Sequence, residues 1–76
     1  MTYYKALAGR LRRCGWVLID EAHGGDLVEH YFKYDHPSHS PQESAAYQIE
    51  MTAASNKDGT PGKILKLWQG GRPCRV

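Results

Sequence analysis

A helical stripe that gives way within a few residues to strand-type sequence constrains this chain more than any other feature. Tyr4, Leu7, Leu11 and Cys14 recur at helical spacing, while Lys5, Arg12 and Arg13 point away from them, so Thr2 to Cys14 is predicted to be an amphipathic helix. Thr2 is placed to cap its start. Arg12 and Arg13 fall in the last turn, where cations complement the partial negative charge of unpaired carbonyls, and Gly15 can take the left-handed conformation that ends a helix. Immediately afterwards, Trp16 to Ala22 and Leu27 to Asp35 are rich in β-branched and aromatic residues, the composition of strands. Between them His23-Gly24-Gly25-Asp26 offers glycines for the positive φ of a tight reversal, so the two runs are expected to form a β-hairpin.

The stretch from Asp35 to Gln42 is polar and carries prolines without periodicity, which marks a loop. Residues Glu43 to Ala54 carry two opposed signals. Ser40-Pro41-Gln42-Glu43 has the form of a helix start, with a capping serine, proline at the first helical position and a glutamate able to reach back to the cap. A helix continued through this stretch, however, would set Glu50 in the middle of its apolar arc. As a strand the same residues separate cleanly, with Tyr47, Ile49, Met51 and Ala53 on one side and Gln48, Glu50 and Thr52 on the other. Burial outweighs a cap contributing about 1 kcal/mol, so the strand is preferred. Ser55 to Gly62 is then a loop, Lys63 to Gln69 a last strand, and Gly70 to Val76 a flexible basic tail. The expected fold is α+β: an N-terminal amphipathic helix packed on a small antiparallel sheet, in the order α-β-β-β-β, or α-β-β-α-β if residues 43 to 54 are helical.

Seventy-six residues make one small domain, here residues 1–69 without the tail, with no mass for a second domain or a large pocket. Apolar and charged fractions of 41% and 24% belong to a folded chain rather than a disordered one. No apolar stretch is long enough for a signal peptide or a membrane span. Two cysteines far apart do not make a disulfide framework. The expected location is therefore cytoplasmic, with Cys14 a buried free thiol on the apolar side of the helix rather than the partner of Cys74.

Charge is sorted into three blocks. Residues 1–14, 15–51 and 52–76 carry net charges of +4, −6 and +4, so a modest total of +2 conceals two basic ends around an acidic middle. Such a surface can meet a charged partner in a fixed orientation. Strand alternation adds aromatic residues to it. If Val28 and Phe32 face the helix, Tyr31 and Lys33 face away, and if Leu65 and Leu67 face the helix, Lys66 and Trp68 face away. Rings and cations together suit a protein interface and also suit base stacking and phosphate neutralisation. The expected partner surface is Lys5, Arg10, Arg12, Arg13, Tyr31, Lys33, Lys66, Trp68 and Arg72. The function expected from it is that of a small non-enzymatic interaction protein that binds and modulates a larger macromolecule, of the kind mobile elements and viruses encode as inhibitors or regulators. A protein is the first choice of partner, nucleic acid the second, and a homodimer through the sheet face a third; no cofactor, metal or membrane is expected.

Three motifs point elsewhere. Leu18 to His23 spells the magnesium and ATP contact motif of DEAH-box helicases, a resemblance that covers six residues. It has no phosphate-cradling loop ahead of it, and the later Gly59 to Lys63 has Ile64 where a Ser or Thr should hold the metal and Lys57 where the first glycine belongs. His36 and His39 beside Asp35 supply metal-type donors, but zinc needs four organised ligands and Cys74 is the only other soft donor of note. Finally Leu11 to Trp16 (LRRCGW) after a short basic helix, then His30-Tyr31-Phe32 on a hairpin and His36-Pro37 beyond, resembles the first half of HicA-type toxin ribonucleases. These are small double-stranded-RNA-binding-like folds that cut mRNA with a strand histidine. The resemblance implies a catalytic role for His30, although Val28-Glu29 stand where that family has Gly-Ser and the second half of the chain has no counterpart in it.

Overall fold

The computed structural model describes residues 2–23 and 29–75. Helix α1 (Tyr4–Arg13) leads into β1 (Val17–His23) and β2 (Glu29–Asp35); a short helix α2 (Pro41–Tyr47) follows, then β3 (Ile49–Ser55), β4 (Pro61–Gln69) and β5 (Arg72–Pro73). The strands form one antiparallel sheet in sequence order, β1-β2-β3-β4-β5. The fold is α+β with the helix first, as its sequence predicts. The proposed turn at residues 23–26 and the start of β2 at Leu27 and Val28 lie largely outside the described residues.

Helix α1 is held by its apolar side. Tyr4 and Ala8 are buried, and Leu7 and Leu11 pack against the same core. The core also takes Phe32 and Tyr34 from β2, Met51 and Ala53 from β3 and Ile64 from β4, but no residue of β1. Tyr4 stacks on Phe32 with ring centroids 4.0 Å apart, and its hydroxyl meets that of Tyr34 at 2.5 Å. That pairing lets two phenols enter an apolar core without an orphaned hydroxyl. Burial, then the Tyr34 hydroxyl, pushes the Tyr4 phenol well above its ordinary pKa.

Both ends of α1 differ from expectation. Thr2 does not cap it: Tyr3 is the capping residue, without a side-chain bond. The N-terminal strand of backbone instead joins β4, with Tyr3 bridging Lys63 and the Thr2 carbonyl accepting from Ile64 N at 2.9 Å. At the other end Cys14 is exposed. It occupies the C-cap, beyond the last packed turn, so its place in the helical stripe no longer points at the sheet. Gly15 does adopt φ 90°, and His36 Nε2 meets the Cys14 carbonyl at 2.9 Å.

Residues 41–55 use both signals that compete in the sequence. The capping box forms as written, Glu43 N donating to Ser40 Oγ at 3.2 Å and Ser40 N to Glu43 Oε1 at 3.0 Å, and it starts α2. Gln48, at φ −53° and ψ 139°, then turns the chain into β3, where alternation takes over. Glu50 therefore never meets the helical arc, and Tyr47, expected on the strand beside Ile49, is an exposed helical residue.

Gly70 to Val76 is not a free tail over its described length. Gly70 and Gly71 both have positive φ, 59° and 80°, the backbone of a two-residue hairpin turn. Beyond it Arg72 pairs with Gln69 and Pro73 with Trp68, and Cys74 N donates to the Leu67 carbonyl at 2.7 Å. Strand β4 also starts two residues early, at Pro61, and carries a bulge: Ala53 faces Ile64 while Thr52 faces Lys66. Ile64 and Leu67 thus face α1, and Leu65 is exposed instead of packed. No helix among the described residues is long and apolar enough to cross a membrane.

Candidate functional site: the open face of the sheet

Register divides the sheet into two unequal faces. His30, Phe32, Tyr34, Met51, Ala53 and Ile64 turn toward α1 and are buried. On the opposite face two cross-strand rows stand side by side. One runs Asp20, Lys33, Glu50, Trp68; the other runs Ala22, Tyr31, Thr52, Lys66. No helix among the described residues lies across them, since α2 is tethered at the end of the sheet by Ser44 Oγ to Asp35 Oδ2 at 2.6 Å and Gln69 Nε2 to the Tyr47 carbonyl at 3.3 Å.

Side chains on this face order one another. The Tyr31 hydroxyl donates to Glu50 Oε2 at 3.3 Å, and Lys33 Nζ lies 4.0 Å from Glu50 Oε1. Lys66 Nζ sits 6.0 Å from the Trp68 ring centroid, the outer limit for attraction to the ring's negative face. Partial burial, then the Glu50 carboxylate, raises the Tyr31 pKa. Thr52 Oγ1, between Tyr31 and Lys66 in the second row, is buried without a hydrogen-bond partner. The face is therefore a half-buried ring surface with its charges interleaved: Lys33 is flanked across the strands by Asp20 and Glu50.

The nine residues expected to form one partner surface do not all meet. Tyr31, Lys33, Lys66 and Trp68 share the open face. Lys5, Arg10, Arg12 and Arg13 are exposed on α1, which covers the opposite face. Lys5 and Arg12 border a groove of about 610 Å³ with Tyr3, Tyr4, Asn56, Asp58 and Thr60. Arg72 pairs with Gln69, and so shares the parity of Leu67 and not of Trp68; with Ala46, Tyr47 and Gln69 it lines a separate hollow beside α2. The DEAH-like acids are strand residues, Asp20 opposite Lys33 and Glu21 opposite Phe32.

The histidines are occupied within the fold. His30 is only 2% exposed, with Nδ1 2.8 Å from His23 Nδ1 and Nε2 3.2 Å from Ser55 Oγ. A ring so enclosed has no side left for a phosphodiester, which weighs against the ribonuclease role the resemblance implies. His36 stitches the Cys14 carbonyl to the loop after β2, and His39 Nδ1 meets Asp35 Oδ1 at 2.7 Å. No group of three or more metal-type donors converges among the described residues. Cys14 and Cys74 are both free and exposed.

Asp35 fastens α2 to β2, and this gives a pH dependence with a fixed sign. The Ser44 hydroxyl, the His39 ring and the His36 backbone amide hold its pKa at about 2, below the ordinary 3.8. A carboxylate with a depressed native pKa stabilises the fold above its unfolded value and loses that contribution as pH falls. Acid titration of the wild type should therefore show a loss of stability between about pH 4 and pH 2. In Asp35→Asn, followed by circular dichroism melts, that step is expected to be smaller, the remainder coming from Glu43 and Asp58, whose carboxyls are also held below their ordinary values by Ser40 and Thr60, while the melt at pH 7 is lowered.

Sequence reasoning passed over one feature of β1. Val17, Leu18 and Ile19 are consecutive, exposed and apolar, and Ile19 has no partner on β2, the register shifting between Leu18 and Asp20. The signal was three apolar residues in succession where a half-buried strand should alternate. No family model matches the chain, and no curated protein or solved structure matches it either.

Proposed function

We propose that this chain is a non-enzymatic interaction module that binds a larger protein through the open face of its sheet, with Trp68 and Tyr31 as anchors and Lys33 and Lys66 setting orientation. The observation that carries this is the pair of half-buried rings on a sheet face that no helix covers among the described residues and whose charges alternate. Aromatic anchors amid near-neutral polar surroundings are what protein interfaces select. A nucleic-acid backbone laid over the same rows would meet Asp20 and Glu50 as well as the lysines, and phosphate contacts depend on uncompensated cations.

A specific observation favours a second surface for nucleic acid: all four cations of α1 are exposed and the helix contains no acid. One experiment separates the two. Immobilised wild type, a Tyr31→Ala/Trp68→Ala variant and an Arg10→Ala/Arg12→Ala/Arg13→Ala variant are compared for proteins and nucleic acids retained from extract, each variant first checked for an unchanged circular dichroism spectrum. The expected result is a protein partner retained by the wild type and the arginine variant and weakened at least about 30-fold by loss of the two rings, the scale of an interface hot-spot pair. Capture of RNA or DNA that survives loss of the rings but not of the arginines would move the function to α1.

A further inference from the structure

We propose that β1 is a docking edge that takes up an extended segment of the protein partner as an added strand, with apolar residues of that segment against Val17 to Ile19 and cations against Asp20 and Glu21. This rests on the interaction role above and names how the partner is held. Strand β1 ends the sheet order, so the backbone groups on its far side have no strand partner among the described residues. Natural edge strands are blunted by lysine and other charges, by proline, by bulges or by extreme shortness; β1 has a register shift at Ile19 and two acids, Asp20 and Glu21, so it is guarded against a like-charged strand and open to a cationic one. Strand β1, reading VLIDEAH, has seven residues, none of them lysine or proline.

All seven residues are exposed, with Val17 and Ile19 at 49% and Leu18 at 37%. Leu18 faces Tyr34 and so lies toward the helix side, while Val17 faces Asp35 on the other. Apolar surface is thus offered above and below the free edge, and an added strand would be flanked on both sides. The next two residues are acids; Asp20 has Lys33 across the ladder on β2, and β1 itself holds no cation. Glu21 lies opposite Phe32, so no cation meets it across the ladder.

Charge also chooses among occupants. In antiparallel self-pairing over the whole of Val17–His23, Asp20 is the midpoint and falls opposite itself, while Val17, Leu18 and Ile19 fall opposite His23, Ala22 and Glu21. Like charges directly across a ladder are destabilising. A foreign strand with cations followed by apolar residues meets no such conflict, and main-chain hydrogen bonds supply the rest of the affinity, as in other strand-addition complexes.

The test uses isotopically labelled full-length protein and a blocked peptide of threonine, threonine, lysine, arginine, valine, isoleucine and valine, with a control in which both cations are glutamate. The expected result is amide shifts in Val17–His23, and affinity at least about tenfold weaker for the control peptide and for Ile19→Lys or Val17→Lys, exposed positions where a polar side chain leaves the core intact. The Tyr31→Ala/Trp68→Ala variant should bind this peptide as the wild type does, so loss of partner capture in that variant and failure of the edge are read independently. No β1 shift at about 1 mM peptide, a weakness that would place Kd beyond the millimolar range, overturns the proposal. So does equal affinity for the two peptides, or a dimer in sedimentation that Ile19→Lys abolishes without any peptide binding.

Discussion

Met51→Ala is expected to destabilise the protein by about 2–5 kcal/mol, the range for emptying a fully buried methionine site. Met51 is completely buried and stands opposite Phe32 on one side and Leu67 on the other, so the void would open at the middle of the only sheet face that α1 covers. A domain this small draws on the order of 3–5 kcal/mol from its core. The variant should therefore be largely unfolded near room temperature or melt far below the wild type. Urea titration checks it: the midpoint should collapse with little change in slope. A loss under about 1 kcal/mol would mean that the site collapses around the smaller side chain, against the close packing of the Phe32, Met51 and Leu67 row.

Gly70→Ala is expected to be the second large loss, and its neighbour supplies the control. Gly70 has φ 59°, and a Cβ built there would fall inside the van der Waals shell of the Ala46 carbonyl. Both the backbone conformation and the helix beside it resist a side chain. Gly71 has φ 80° but nothing within 4 Å of the same position. Gly71→Ala should thus cost only the left-handed penalty, about 1–2 kcal/mol, and Gly70→Ala clearly more, since α2 or the turn must move. Equal thermal shifts for the two would show that the approach to Ala46 is relieved without cost. The larger effect should also release β5, visible as faster exchange of the Cys74 amide, which bonds the Leu67 carbonyl.

Local chemistry in the sequence predicted the parts of this fold that local chemistry controls. The stripe of α1, its basic last turn, the left-handed Gly15 and the Ser40 capping box all formed as their residue types require. Errors arose where two local rules met inside one segment. Residues 43–54 were weighed as a single element, helix or strand, whereas Gln48 lets the cap govern one half and alternation the other. Gly70-Gly71 looked like the start of a loose end because it lies near the terminus, although paired glycines are also a hairpin signal. Burial of Cys14 failed by a single helical position. On the candidate surface, parity placed Tyr31, Lys33, Lys66 and Trp68 together even though the bulge in β4 displaced Leu65, because the shift falls before Lys66 and leaves the last residues in phase. The separation of the α1 cations and Arg72 from that face was not legible, since it depends on which face the helix covers and on how β5 returns.

Because β1 gives the core no side chain, removing that strand would break its hydrogen bonds to β2 and the His23–His30 contact and leave the tyrosine, phenylalanine and methionine packing in place. Like β5, which also gives the core no side chain, β1 could leave the sheet without emptying the core. A partner able to pair with β2 directly could displace β1 rather than extend the sheet beyond it, and the same scaffold would survive either outcome.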